Sequence, residues 1–78
     1  MAYTLTKLAP GSYDLWRDGR IIGGVVRGGS DDAPIWVAEL LLDVPAEQRP
    51  APFIELEHEF PTLDELCLWL GMAKPGSR

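Results

Sequence analysis

The residues of this chain that can do chemistry are few, and each lacks the neighbour its chemistry would need. His58 is the only histidine. A general base or metal ligand works only beside a nucleophile or further ligands held at usable spacing. No serine and no second histidine meets that condition. His58 alternates in phase with apolar residues, so the expectation is a partly buried ring that donates to a backbone carbonyl. Cys67 is the only cysteine, flanked by Leu66, Leu68 and Trp69. A reactive thiolate requires exposure and a nearby cation, so Cys67 reads as a small buried hydrophobe. One cysteine also excludes an internal disulfide and a multi-thiolate zinc centre. The run Gly23-Gly24-Val25-Val26-Arg27-Gly28-Gly29 lacks the Lys-Ser/Thr ending and the directly following helix that make a phosphate loop. No catalytic residue, metal ligand or cofactor is expected.

The charged residues offer binding rather than reaction. Arg17, Arg20 and Arg27 sit in or beside a β-rich stretch, where planar guanidinium forks suit anions or phosphates. Solvated charge that protects a strand edge explains the same residues. Glu55, Glu57 and Glu59 alternate along one stretch, with Glu39 and Asp43 as further carboxylates. Residues two apart on a strand lie about 7 Å from each other, too far to chelate one ion unless another strand helps. A basic protein surface is the better target for that stripe, and a solvated strand face accounts for it equally.

The chain has 78 residues, with 7 Lys and Arg against 12 Asp and Glu and a net charge of −5. Residues 1–30 carry four cations against two carboxylates, and residues 31–78 carry three against ten. Nucleic-acid binders draw most of their affinity from neutralising phosphates, so this balance counts against that role, leaving only the short basic N-terminal stretch. The length allows one domain over residues 1–78. The hydrophobic content of 46 % is that of a folded globule rather than a disordered chain. No run approaches the roughly 18 consecutive apolar residues of a membrane span, and the first residues lack the basic-then-apolar pattern of a signal peptide. A cytoplasmic protein is the expectation.

The elements that must position these residues follow from periodicity. Tyr3–Leu8 alternates threonine with larger side chains and can add an edge strand. Asp18-Gly19 between β-rich runs predicts a hairpin of residues 13–17 and 20–27, because both central residues of a type I′ turn need positive φ. In that register Arg17 faces Arg20, Trp16 faces Ile21 and Leu15 faces Ile22. One face then carries Tyr13, Leu15, Ile22 and Val26, and the other Trp16, Ile21 and Val25. Gly23 and Gly24 mark a bulge or a close approach, and a bulge there would re-phase Val25 and Val26. Residues 35–42 read as a further strand, residues 43–52 with Pro45, Pro50 and Pro52 as a long loop, and residues 53–60 as a strand with Ile54, Leu56, His58 and Phe60 on one side. Thr62 and Glu65 form a capping box for a helix over residues 63–70, closed by Gly71. Residues 72–78 are expected as a frayed tail. The fold class is α+β: an antiparallel sheet of three to four strands in β-β-β-β-α order, with one C-terminal helix on one face.

The run Leu8 to Leu15, the Asp18-Gly19-Arg20-Ile21-Ile22 that follows, the Trp36-Val37-Ala38-Glu39-Leu40 segment and the closing Phe60 to Gly71 resemble small uncharacterised bacterial proteins across nearly the whole chain. That resemblance implies a stand-alone compact domain and transfers no activity and no catalytic residue. A looser likeness is to DNA readers built from a three-stranded sheet and a helix, such as the arm-binding domains of phage integrases. Those use a basic sheet face, from which this acidic chain departs.

One helix covers one face of a sheet, and alternation sends Trp16 to the side opposite Leu15. An apolar second face bearing Trp16 and Ile21, with Trp36, is what the centre of an interface looks like. A wrapped N-terminal segment, Tyr3 to Leu8, would cover it equally well. The expected function is therefore a small non-catalytic protein-interaction domain that self-associates, as a homodimer, through Trp16, Ile21 and Trp36. The alternative is a nucleic-acid or anion-binding module using Arg17, Arg20 and Arg27.

Overall fold

The computed structural model describes residues 3–41 and 45–72. Five antiparallel strands run in chain order across one sheet: β1 (Tyr3–Ala9), β2 (Ser12–Arg17), β3 (Arg20–Gly29), β4 (Pro34–Leu40) and β5 (Glu57–Phe60). A single turn of 3₁₀ helix, Ala46–Gln48, interrupts the β4–β5 connection, and α1 (Leu63–Leu70) follows β5. The architecture is the α+β sheet with a C-terminal helix that periodicity predicts, but with five strands rather than three or four. The added strand is Tyr3–Ala9, paired with β2 along most of its length.

Turn chemistry explains the central hairpin. Asp18 has φ 55° and Gly19 φ 81°, the two positive values that a type I′ turn demands. Arg17 faces Arg20 and Trp16 faces Ile21, as the turn dictates. The register then slips, so that Leu15 pairs with Gly23 and Ile22 is the extra residue of a bulge. The slip places Val25, and not Val26, on the face of Leu15: Val25 is fully buried whereas Val26 is exposed. It also gives Gly23 its reason, since a Cβ there would lie 2.0 Å from the Glu39 carbonyl oxygen on β4.

β5 is shorter than the alternation of residues 53–60 predicts. The chain turns at Pro50–Phe53, where the Phe53 amide donates to the Pro50 carbonyl at 2.9 Å. Next, the Ile54 and Glu55 amides both donate to His58 Nε2, at 3.2 and 3.1 Å. Those amides are turned toward a side chain, and the ladder starts only at Glu57. Ile54 is consequently exposed instead of sharing a face with Phe60. β4 likewise ends at Leu40; Leu42 lies outside the described residues, as do Asp43 and most of the predicted tail. Met72, at the start of that tail, packs against the core and donates its amide to the Cys67 carbonyl at 2.9 Å.

The helix forms where its caps allow. Thr62 is extended and its side chain accepts from the Glu65 amide at 3.1 Å, and Gly71 closes the other end with φ 84°. Leu66, Cys67 and Leu70 face the sheet and join Leu5, Leu15, Val25 and Ala38 in one buried cluster. Phe53 extends that cover toward β1: its ring lies 6.4 Å from that of Tyr3, whose hydroxyl donates to the Ala51 carbonyl. Trp69 sits against Phe53, His58 and Phe60, with ring centroids 4.9, 4.6 and 5.0 Å away. One side of the sheet is thus closed by α1 and the Phe53 turn, and among the described residues nothing covers the other, the open face.

Candidate functional site: the open sheet face

Strand alternation combined with register decides what the open face presents. Trp16 and Ile21 lie there side by side, together with Val26, Val37 and Ile35 from β3 and β4. Ile21, Val26 and Ile35 are each more than a third exposed. Trp16 is half-buried, and its indole N–H donates to the Thr6 hydroxyl of β1 at 2.9 Å. That bond satisfies the one polar group of the ring and holds it across β1 and β2.

Trp36 is not part of this face. It pairs with Arg27 and Phe60, packs against the helix-side core, and stands 6.3 Å from the Tyr13 ring. The expected trio of Trp16, Ile21 and Trp36 is therefore split by the sheet, two residues above and one below. The physical reason is parity: with Val25 and Ala38 opposed and both buried, the residue two before Ala38 shares their side.

Charge is sorted by the same parity. Asp14, Glu39, Glu57 and Glu59 all belong to the open face: Asp14 pairs with Thr6 and Gly24, Gly24 with Glu39, Glu39 with Glu57, and Val37 with Glu59. Lys7, Arg17, Arg20 and Arg27 all belong to the helix side, where they ring its margin: Lys7 pairs with Tyr13, Arg17 with both Tyr3 and Arg20, and Arg27 with Trp36. Every carboxylate within the strands is on one face and every cation on the other. The open face carries two apolar patches, Trp16 with Ile21 and Val26 with Val37 and Ile35, separated by the row of Asp14, Gly24, Glu39 and Glu57, with Glu59 at the β5 edge. Sequence inspection finds the Glu57 and Glu59 stripe, but joining it to Asp14 and Glu39 requires a register across five strands. Glu55 does not share the stripe, because it precedes the ladder.

Arg17 and Arg20 stay together at the hairpin tip. Arg27 is at the far end of β3 and has Asp31 at 3.9 Å as its ion-pair partner, so the three arginines do not form one anion site. His58 accepts from two backbone amides at Nε2, the reverse of the donor role expected of it, and holds the turn before β5. Cys67 is fully buried, and burial, assisted by Asp64, pushes its thiol up to about 11. Among the described residues no group of three or more His, Cys, Asp or Glu is placed to hold a metal ion. No described helix is long and apolar enough to cross a membrane.

Comparison with family models, with curated proteins and with solved structures finds no match to this chain.

Proposed function

We propose that this chain is a non-catalytic protein-binding module that receives a basic partner on its open sheet face. The observation that carries this reading is the sorting of charge. Trp16 with Ile21 and Val26 with Ile35 supply apolar area on either side of a row holding Asp14, Glu39 and Glu57, and Glu59 lies at the β5 edge, without a single strand cation on that face. Complementary potentials select the partner of such a surface. A second copy docked face to face by a two-fold axis would set one acidic face against another, with no strand cation on either to compensate. A basic partner is favoured over self-association for that reason. The same sorting disfavours a nucleic acid on this face. The lone histidine and lone cysteine are both engaged in holding the fold, which supports binding over catalysis.

The test joins two measurements on the full chain. Sedimentation equilibrium at low micromolar concentration should show a monomer. Fluorescence anisotropy should show a labelled amphipathic Lys-rich strand peptide binding with an affinity that falls as salt rises, and Glu39→Lys with Glu57→Lys should abolish it. A dimer that Trp16→Ala dissociates would instead make the open face a self-interface and overturn the basic-partner reading.

A further inference from the structure

At the tip end of the β2–β3 hairpin a crevice of about 730 Å³ opens between the sheet and the β4–β5 connection. Its lining combines Arg17 and Arg20 with the apolar Ile22, Leu40, Leu41 and Pro50. The arginines are directly opposed in the β2–β3 register, an arrangement of like charges that destabilises a strand pair unless something bridges it. Among the described residues neither has a carboxylate within ion-pair distance; the ion pair found there is Arg27 with Asp31. Asp18 also lines the crevice without pairing to either arginine. Among the described residues Arg17 Nε has no hydrogen-bond partner; it is closed off from solvent, and the guanidinium is held over the Tyr3 ring at 5.8 Å.

We propose that this crevice binds a small amphipathic carboxylate, with its anionic head between Arg17 and Arg20 and its apolar body against Ile22, Leu40, Leu41 and Pro50. The head accepts from the terminal guanidinium nitrogens of Arg17 and Arg20, which suit a carboxylate. Gln48 also lines the crevice and offers a further amide donor. The volume falls within the roughly 300–1,000 Å³ of small-molecule pockets, and an apolar lining with a few convergent polar groups is their usual make-up. The apolar wall and the nearby Asp18 favour a singly charged head on a greasy body over an inorganic dianion. Arg27, far from the crevice, takes no part. Ile21 borders both this crevice and the open face, so variants that test the crevice avoid it.

Octanoate is the probe, followed by amide chemical shifts of the intact chain. Saturable shifts at Arg20, Ile22 and Leu41 are expected. Octanol, equal in length but uncharged, should bind at least about tenfold more weakly, and inorganic phosphate should not compete. Arg20→Gln and Leu41→Asp, both at exposed positions, should each weaken octanoate about tenfold or more, from opposite ends of the ligand. Arg17→Lys keeps the charge but loses the planar guanidinium fork and should weaken binding in the same direction. Equal binding of octanol would reduce the site to an apolar crack, and phosphate competing as well as octanoate would reassign it to a hydrophilic anion. Shifts that do not saturate, or that map away from the crevice, would also overturn the proposal.

Discussion

Glu39 stands directly across from Glu57 in the β4–β5 register, and Asp14 lies in the same row two strands away. Directly opposed residues are about 5 Å apart, so these two carboxylates repel each other without any strand cation on their face to screen them. A fold that keeps such a pair gives up stability there, and the arrangement earns its place if something basic binds.

Replacing Glu57 by Lys turns the repulsion into attraction. Cross-strand pairs are worth roughly 0.2–1 kcal/mol, so Glu57→Lys should stabilise the chain by about 0.5 kcal/mol and raise its melting temperature by about 2–4 °C. A thermal melt at low salt checks this. Added salt should also raise the wild-type midpoint more than that of the variant, and a lower midpoint in the variant would contradict the register.

The two tryptophans on opposite faces should behave differently. Trp36 packs on the helix side, and Trp36→Ala should cost about 3 kcal/mol, near the lower end of the range for large aromatic residues lost from a core. Trp16 lies on the open face with one hydrogen bond to Thr6, and Trp16→Ala should cost about 1 kcal/mol. Urea midpoints of the two variants, measured side by side, decide the matter; equal losses would mean that both faces are closed.

Gly23→Ala isolates the β3–β4 approach. An added Cβ at 2.0 Å from the Glu39 carbonyl oxygen must push two paired backbones apart, at a cost of about 3 kcal/mol or more. Equilibrium unfolding reads the cost, and protection of the β4 amides from hydrogen exchange should fall with it. Gly19→Ala, where a Cβ meets open space but φ is 81°, should cost only about 1 kcal/mol.

Alkaline pH should destabilise the fold through Cys67. Its thiol pKa rises from 9.0 to about 11 because burial penalises the thiolate, with Asp64 adding to the effect. Below pH 9 both folded and unfolded chains hold the proton. Between pH 9 and about 11 the unfolded chain releases it first, so stability falls as pH rises, by roughly 2–3 kcal/mol in all. Burial likewise raises the Tyr3 phenol, opposed by Arg17 and assisted by Asp18, and its titration extends the loss. Urea midpoints across this range, in wild type and Cys67→Val, should show a shallower decline in the variant.

The parts of the fold legible in the sequence are those written by local chemistry. Asp18-Gly19 sets the hairpin, and Thr62 with Glu65 and Gly71 brackets the helix at the predicted residues. What escapes is what depends on contacts distant in sequence. The bulge at Ile22 re-phases Val25 and Val26, and no pattern within β3 places it at that residue. The double acceptance at His58 Nε2 takes Ile54 and Glu55 out of a strand that alternation alone would begin at Phe53. Trp36 goes to the helix side because Ala38 is buried against Val25, a fact of register. The acidic face is the clearest instance: its carboxylates come from β2, β4 and β5, and only lateral pairing shows that they share a side.

The strict chain order of the strands bears on how the molecule comes into being. Each strand pairs with the one made just before it, so a chain emerging from the ribosome can lay down its sheet strand by strand, closing short turns as far as β4 and one longer connection before β5. The cover arrives last. Until Leu66, Cys67 and Leu70 emerge, Leu15 and Val25 lie bare on one side of the ribbon. A chain stopped before Leu66 would be a sticky, unlidded sheet rather than a smaller domain, and α1 is the latch that closes that side.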